Sequence, residues 1–300
     1  MNPVARQSVG STRFRSHTTP VAPSVPRETR RLGVLSYVGI AFGGSWAALL
    51  VANLLGYSLD DPAVQLLTIA FAPAIAACIV RRWITGEGFA DSGLRLRLRS
   101  NWRHVVAAVT IPWGMLALTA LMAALVGLWT PSMTDMGGTE WIYLACGPLV
   151  CVALSPIFFG EEYGWTAYLR DRLVPGRPLL TTFLTGTIWG VWHWPLPWVG
   201  YFGGSTDVSD ALWSMLWWIP LSILLEFMIG WLWAATGSVW PGTMLHAGSN
   251  MVASLGMVWV LGDSIGVNTA TALLCVALTP FVLGVVIAGR WTSRPAAGGA

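Results

Sequence analysis

The sequence predicts an all-α, polytopic integral membrane protein, with about eight transmembrane helices around a polar intramembrane cavity. Hydrophobic residues make up 55% of the 300 residues, charged residues only 10%, and the mean hydropathy is +0.62. A soluble domain would carry about a quarter charged residues, so the composition argues against a soluble enzyme. The apolar residues form runs near the roughly 20 residues that a membrane-crossing helix needs, and a few ionisable residues interrupt those runs.

The apolar runs divide into eight predicted spans. These are residues 32–55, 62–83, 104–128, 141–160, 179–194, 211–235, 239–261 and 268–288. Arginine precedes the first span and follows the second, fourth and eighth, whereas the alternate connections, after the first, third, fifth and seventh spans, hold Asp and Glu. The positive-inside rule therefore predicts a multi-pass protein of the cell membrane with both termini in the cytoplasm.

The domain organisation follows from these spans. Residues 1–31 are rich in Arg, Pro, Ser and Thr without apolar periodicity, which is typical of a disordered basic cytoplasmic tail. Residues 32–289 form the transmembrane domain, and residues 290–300 form a second, short cytoplasmic tail. The alternating arginines of residues 95–103 are interpreted as a topology-setting loop near anionic lipid; nothing else in the sequence indicates nucleic-acid binding.

Five ionisable residues lie within or next to the apolar runs and are the candidate functional residues: Glu161, Glu162, His193, Glu226 and His246. An ionisable group at membrane depth costs roughly 2.5–3.5 kcal/mol on insertion, so a chain that keeps several of them is expected to use them. Glu226 is interpreted as the structural partner of another polar group, with a site role as the alternative.

The paired glutamates can be interpreted in two ways. The fourth helix could end at Gly160, which would place Glu161 and Glu162 at the cytoplasmic interface. However, no residue breaks the helix before Pro175. If the helix continues, Glu161 lies about 20 Å from its end, and His193 lies about 22 Å along the fifth helix from the same side. The helix geometry favours this buried, shared depth.

The two histidines have different surroundings. Pro195 and Pro197 follow His193 and break the helix, and irregular backbone at membrane depth is tolerated only against protein or water. His246 and Asn250 are four residues apart and therefore share one face of the seventh helix. His246 lies about 10 Å from the start of that helix, shallower than His193.

A carboxylate and imidazoles in a wet cavity support three interpretations. In hydrolysis, a glutamate takes a proton from water while histidines bind a metal or the developing oxyanion; two His and a carboxylate can also make a three-ligand zinc site. In proton-coupled transport, Glu and His relay protons. In the third interpretation, these groups are structural and only pair with each other. Transporters of this kind show internal repeats with broken helices; no such repeat occurs here, which favours hydrolysis.

Three segments, GEEYGWTAYL, WGVWHWPL and GSVWPGTMLHAGSN, follow one another on successive membrane segments. In this order they resemble the CPBP family of intramembrane proteases, which includes CAAX-prenyl endopeptidases and the Abi-type proteins linked to bacteriocin processing or self-immunity. The resemblance covers about residues 158–250. It implies an endopeptidase that cleaves a membrane-associated peptide or protein substrate.

The resemblance also implies roles for individual residues. Glu161 is the base that activates water, and Glu162 supports it or shares in ligation. His193 and His246 are metal ligands or groups that orient the water and oxyanion, and Asn250 assists the oxyanion. The family has been described both as metal-dependent and as glutamate-driven, so zinc or another divalent metal held by Glu161, His193 and His246 is one expectation.

Two positions depart from the family pattern. Trp189 stands where Phe is usual, which is interpreted as a mild change. Thr166 stands where the motif has Arg, four residues after Glu162, and an Arg there could pair with that carboxylate. Arg170, one turn further on, is expected at a different depth. The uncharged Thr166 predicts a slower, differently organised or inactive member, with a transport-like or bacteriocin-immunity role as the alternative to hydrolysis.

Overall fold

The computed structural model describes residues 25–58, 61–130, 137–199, 207–261 and 265–289, so most of both predicted tails lies outside the described residues. The described residues form eight helices and no strand, which confirms the predicted fold class. In chain order the helices are α1 (Arg27–Leu54), α2 (Pro62–Ile84), α3 (Leu98–Leu125), α4 (Gly138–Leu173), α5 (Pro178–Trp192), α6 (Val208–Thr236), α7 (Trp240–Leu261) and α8 (Val267–Ala288). Helix α1 therefore begins before the predicted start of the first span.

Seven of the helices in the described chain are long and apolar enough to cross a membrane, and the eighth, α5, is shorter. Its 15 residues rise about 22 Å, less than the roughly 30 Å of a bilayer core. Because prolines follow at 195 and 197, α5 ends at Trp192, and a 3-10 turn, Leu196–Val199, continues the chain. His193 therefore lies at the break, as the prolines predict, and the predicted number of spans is close.

Helix α4 runs without interruption past the paired glutamates. It extends 36 residues to Leu173, with a π-helical segment at Trp165–Arg170. Glu161 and Glu162 are both buried in the bundle. The prediction that the helix continues towards Pro175 is confirmed, and an end at Gly160 is wrong, because nothing in this stretch breaks the backbone hydrogen bonds.

Close packing of α5 on α6 sets the position of His193. Two glycines on α5 face the α6 backbone: a Cβ on Gly186 would lie 2.6 Å from the Ile223 Cα, and one on Gly190 would lie 2.8 Å from the Ile219 Cα. Small residues are what allow membrane helices to approach this closely. On the other side, α4 packs against α7, so four helices converge on the buried polar residues.

The arginine-rich ends of α2 and α4 meet at one end of the bundle. The Asp91 carboxylate, in the connection after α2, binds Arg81 of α2 at 2.6 Å and Arg172 of α4 at 2.9 Å. The α6–α7 turn lies at the same end, since Trp240 Nε1 donates to the Leu94 carbonyl (2.7 Å). The basic connections thus share one side, and the cytoplasmic placement of that side stays a prediction.

Candidate active site

The indole of Trp189 links three of the predicted site residues. Its Nε1–H donates to Glu161 Oε2 at 2.8 Å. Its ring centroid lies 5.5 Å from that of His193 and 5.1 Å from that of His246. Residues from α4, α5 and α7 therefore surround one buried side chain. Trp189 in place of Phe is not a mild change, because a phenyl ring has no hydrogen-bond donor to offer Glu161.

The carboxylate that binds His246 is Glu162, not Glu161. His246 Nδ1 lies 2.8 Å from Glu162 Oε1. His193 Nδ1 lies 2.8 Å from the backbone carbonyl of Trp189. A carbonyl or an ionised carboxylate can only accept, so each imidazole carries a proton on Nδ1. Each ring, when neutral, therefore presents the lone pair of Nε2 to a substrate, a water or a metal.

Two aromatic rings that sequence reasoning did not assign to the site hold these imidazoles. The Trp218 ring stacks on His193 with centroids 3.9 Å apart and planes 3° apart, and the Phe158 ring lies 4.8 Å from His246. Such packing restricts rotation of the imidazoles. The sequence contains a cluster of tryptophans between Trp189 and Trp240; such a cluster is typical of cavity walls, but it does not show which ring contacts which histidine.

Thr166 supports the second oxygen of Glu162. Its hydroxyl lies 2.7 Å from Glu162 Oε2 and 3.4 Å from Glu226 Oε2, so Glu226 joins the same cluster. Arg170, one turn further along α4, lies 4.0 Å from Glu226 Oε1. Glu162 is thus held by a neutral hydroxyl one turn along α4, where the family motif has a charge.

Asn250 lines a cavity and, within the described chain, makes no hydrogen bond to either glutamate. The helical repeat changes after His246, because residues Ser249–Ser254 of α7 are π-helical, which alters the face that the predicted spacing of four residues assumed. Asn250 lines a cavity of about 830 Å³ together with Trp218. The walls come mainly from apolar residues of α6, α7 and α8, and the cavity extends to Asp210 and Asn268, away from the arginine-rich end.

The predicted metal ligands do not form a three-ligand group. Within the described chain, no three His, Cys, Asp or Glu side chains are grouped as metal ligands would be. Trp189 occupies one oxygen of Glu161, and both histidine Nδ1 atoms have partners. These partners leave both Nε2 atoms and the second Glu161 oxygen available to a ligand, so the zinc or other divalent metal expected at Glu161, His193 and His246 stays a prediction.

Comparison with known sequences identifies the region that builds the site. No curated protein gives a significant match to the chain. Residues 140–252 match the family described as type II CAAX prenyl endopeptidase Rce1-like, which implies an intramembrane protease. This region runs from the start of α4 into the π-helical segment of α7, so it includes every residue predicted for the site. The resemblance predicted from three short motifs is confirmed: residues 140–252, which carry the site, are similar to the Rce1-like family.

Proposed function

We propose that this chain is an intramembrane endopeptidase in which Glu161 activates the water that attacks a substrate peptide bond. The observation that carries the proposal is the cluster of Glu161, His193 and His246 around Trp189, inside the region that matches the family. A buried carboxylate with one oxygen held by an indole N–H has its second oxygen left to accept a proton from water.

The steps follow from the donors and acceptors of each group. Glu161 takes a proton from water as the water oxygen attacks the peptide carbonyl carbon, and then delivers that proton to the departing amine nitrogen. His246, held at Nδ1 by the Glu162 carboxylate, donates from Nε2 to the oxyanion in its imidazolium form. His193 accepts a hydrogen bond from the attacking water at Nε2 and orients it. The Asn250 amide is a second donor for the oxyanion.

The cavity beside Asn250 supports a membrane-embedded substrate. Its lining includes Leu221, Met257 and Leu274, which suit an apolar segment better than a polar peptide. Trp218 forms part of this wall and also stacks on His193. An apolar part of the substrate in the cavity would therefore lie against Trp218, which stacks on His193, with its scissile bond near the polar cluster.

The test is peptide cleavage by the purified full chain in liposomes. Two fluorophore–quencher probes are compared, a farnesylated CAAX peptide and the same peptide without the farnesyl group, with products identified by mass spectrometry. Cleavage at one bond, lost in His246→Ala, would support the proposal. Metal analysis and addition of a chelator would test the divalent metal. A wild-type chain that cleaves neither probe, and that couples proton flux to solute uptake, would overturn the proposal in favour of transport.

Trp189→Phe should lower kcat by roughly 5- to 150-fold. The ring that lies between the histidines is kept, but Glu161 loses its buried donor, and an unsatisfied buried group costs about 1–3 kcal/mol. The matched control is Trp192→Phe on the same helix, whose Nε1 donates instead to Ser45 Oγ at 2.7 Å. Initial rates on the cleaved probe decide the matter: equal losses in the two variants would contradict a specific role for the Trp189 donor.

A further inference from the structure

Three buried side chains form a chain of oxygen atoms behind His246. The Thr166 hydroxyl lies between Glu162 and Glu226, which contribute one carboxyl oxygen each. Both glutamate residues are completely buried. Glu162 comes from α4 and Glu226 from the middle of α6, so the two carboxyl groups approach the hydroxyl from different helices.

If both glutamates are ionised, the Glu162–Thr166–Glu226 cluster has too few hydrogen atoms to make both of its hydrogen bonds. A threonine hydroxyl has one hydrogen to donate and two lone pairs to accept with. The shorter contact, 2.7 Å to Glu162 Oε2, is typical of a hydroxyl donating to a carboxylate. The longer contact, 3.4 Å to Glu226 Oε2, can then be a hydrogen bond only if Glu226 supplies the proton.

Arg170 supplies counter-charge to Glu226 only at 4.0 Å, while shorter contacts hold its guanidinium elsewhere. Arg170 Nε lies 3.0 Å from Thr182 Oγ1 but 4.0 Å from Glu226 Oε1, beyond hydrogen-bond distance. The Arg170 guanidinium also donates to Asp171 at 3.2 Å. Glu226 Oε1 makes no hydrogen bond. Burying an ionised carboxylate oxygen without a hydrogen bond costs several kcal/mol of free energy, whereas burying the carbonyl oxygen of a neutral acid costs much less.

The ionisable groups that face Glu226 are Glu162, Arg170, Asp171 and, from α1, Tyr37. Two of these are carboxyl groups, and Arg170 shares its charge with one of them, Asp171. An ionised Glu226 would add a third carboxylate to a cluster whose cations are the Arg170 guanidinium and, when it is protonated, the His246 imidazolium bound to Glu162. This charge balance favours the neutral acid.

We infer that Glu226 is a protonated carboxylic acid that donates to Thr166, so that Thr166 donates to Glu162 and holds it for His246. Glu226 and Thr166 are positioning residues, and their effect on hydrolysis rests on the proposed function. Glu162 then keeps one negative charge, both of its oxygens are bound, and His246 is oriented at Nδ1. Glu226 and Thr166 thus hold Glu162 through neutral hydrogen-bond donors, whereas an arginine at position 166 would hold it through an ion pair.

Pairs of substitutions at Glu226 and Thr166 test whether the site needs a hydrogen-bond donor or a negative charge at these positions. Glu226→Leu and Thr166→Val remove the donors while keeping the volume, and kcat should fall about tenfold or more, the equivalent of one buried hydrogen bond, with KM unchanged. Glu226→Gln and Thr166→Ser keep a donor and should recover most of that loss, without altering the dependence of kcat on pH. A Glu226→Gln variant as slow as Glu226→Leu would show that a negative charge is needed and would overturn the inference.

Infrared spectroscopy tests the protonation state without any catalysis. A buried neutral acid gives a carboxylic C=O stretch that shifts in D2O, and we expect this band in the wild-type chain and its loss in Glu226→Gln. Glu140→Gln, at the start of α4, is the matched control and should keep the band. If the wild type cleaves no peptide yet shows the Glu226 band, the proposed function fails and the inference on Glu226 stands. An active enzyme without the band overturns the inference alone.

Discussion

Glu161→Gln should lower kcat for peptide cleavage by about 10²- to 10⁴-fold, the range typical of a general base. Glutamine has nearly the same shape, and its amide oxygen can still accept from Trp189 Nε1, so the packing of α4 against α5 is preserved. What is lost is the ability to take a proton from water. We therefore expect KM and the unfolding temperature to change little, which steady-state kinetics and thermal unfolding in detergent can measure.

Glu140→Gln is again the matched control, because it makes the same substitution on the same helix. Glu140 lies in the first turn of α4, 21 residues before Glu161 and far from the cluster. It should cleave the probe at the wild-type rate. Residual activity in Glu161→Gln close to that of Glu140→Gln would contradict the assignment of Glu161 as the base, whichever substrate is used.

Asp91→Asn should lower the free energy of unfolding by about 3–5 kcal/mol, the cost typical of removing one partner from a buried ion pair. The Asp91 carboxylate is buried and bridges two arginines, Arg81 and Arg172. Glu87 also binds Arg172, at 3.1 Å, but Arg81 is fully buried and would lose its carboxylate partner. The substitution should therefore loosen the connection that ties α2 to the end of α4.

A second aspartate provides the control for this substitution. Asp207 is exposed and caps α6 by accepting from the Ser209 backbone N–H at 2.8 Å. Asn caps helices about as well as Asp, so Asp207→Asn should change the unfolding temperature little. Thermal unfolding of both variants in the same detergent compares them directly. Similar losses in the two would contradict a special role for the bridge at Asp91.

The effect of Asp91→Asn should depend on pH. Burial acts to raise the pKa of the Asp91 carboxyl, but Arg172 and Arg81 outweigh it and hold this pKa below its usual range. The contribution of Asp91 to stability is therefore fully present above its unfolded-state pKa of about 3.9 and is lost as the pH falls through the lower folded-state value. We expect the stability difference between wild type and variant to be constant near neutral pH and to shrink in stronger acid.

Properties that depend on neighbours along the chain could be predicted from the sequence. Apolar runs predict the helices and nearly their number. The absence of a helix breaker between Glu162 and Pro175 predicts that α4 continues, and Pro195 and Pro197 predict the break beside His193. The contact between Thr166 and Glu162 was within reach too, since residues four apart on a helix face each other. It was missed because only the lost charge of the motif arginine was considered, and not the hydroxyl that replaces it.

Only the tertiary structure shows which site residues on different helices contact each other. The sequence brought acids and histidines to membrane depth, but it could not tell that His246 binds Glu162, that the Trp189 indole donates to Glu161, or that Glu226 of α6 reaches Thr166 of α4. These contacts depend on the rotation of each helix about its axis and on how closely helices pack. Glycines at 186 and 190 permit the approach of α5 to α6, and π-helical segments shift the faces of α4 and α7. Hydropathy and residue spacing record neither rotation nor distance, so the sequence determined the class of the protein and the members of its site, and the packing decided how they are paired.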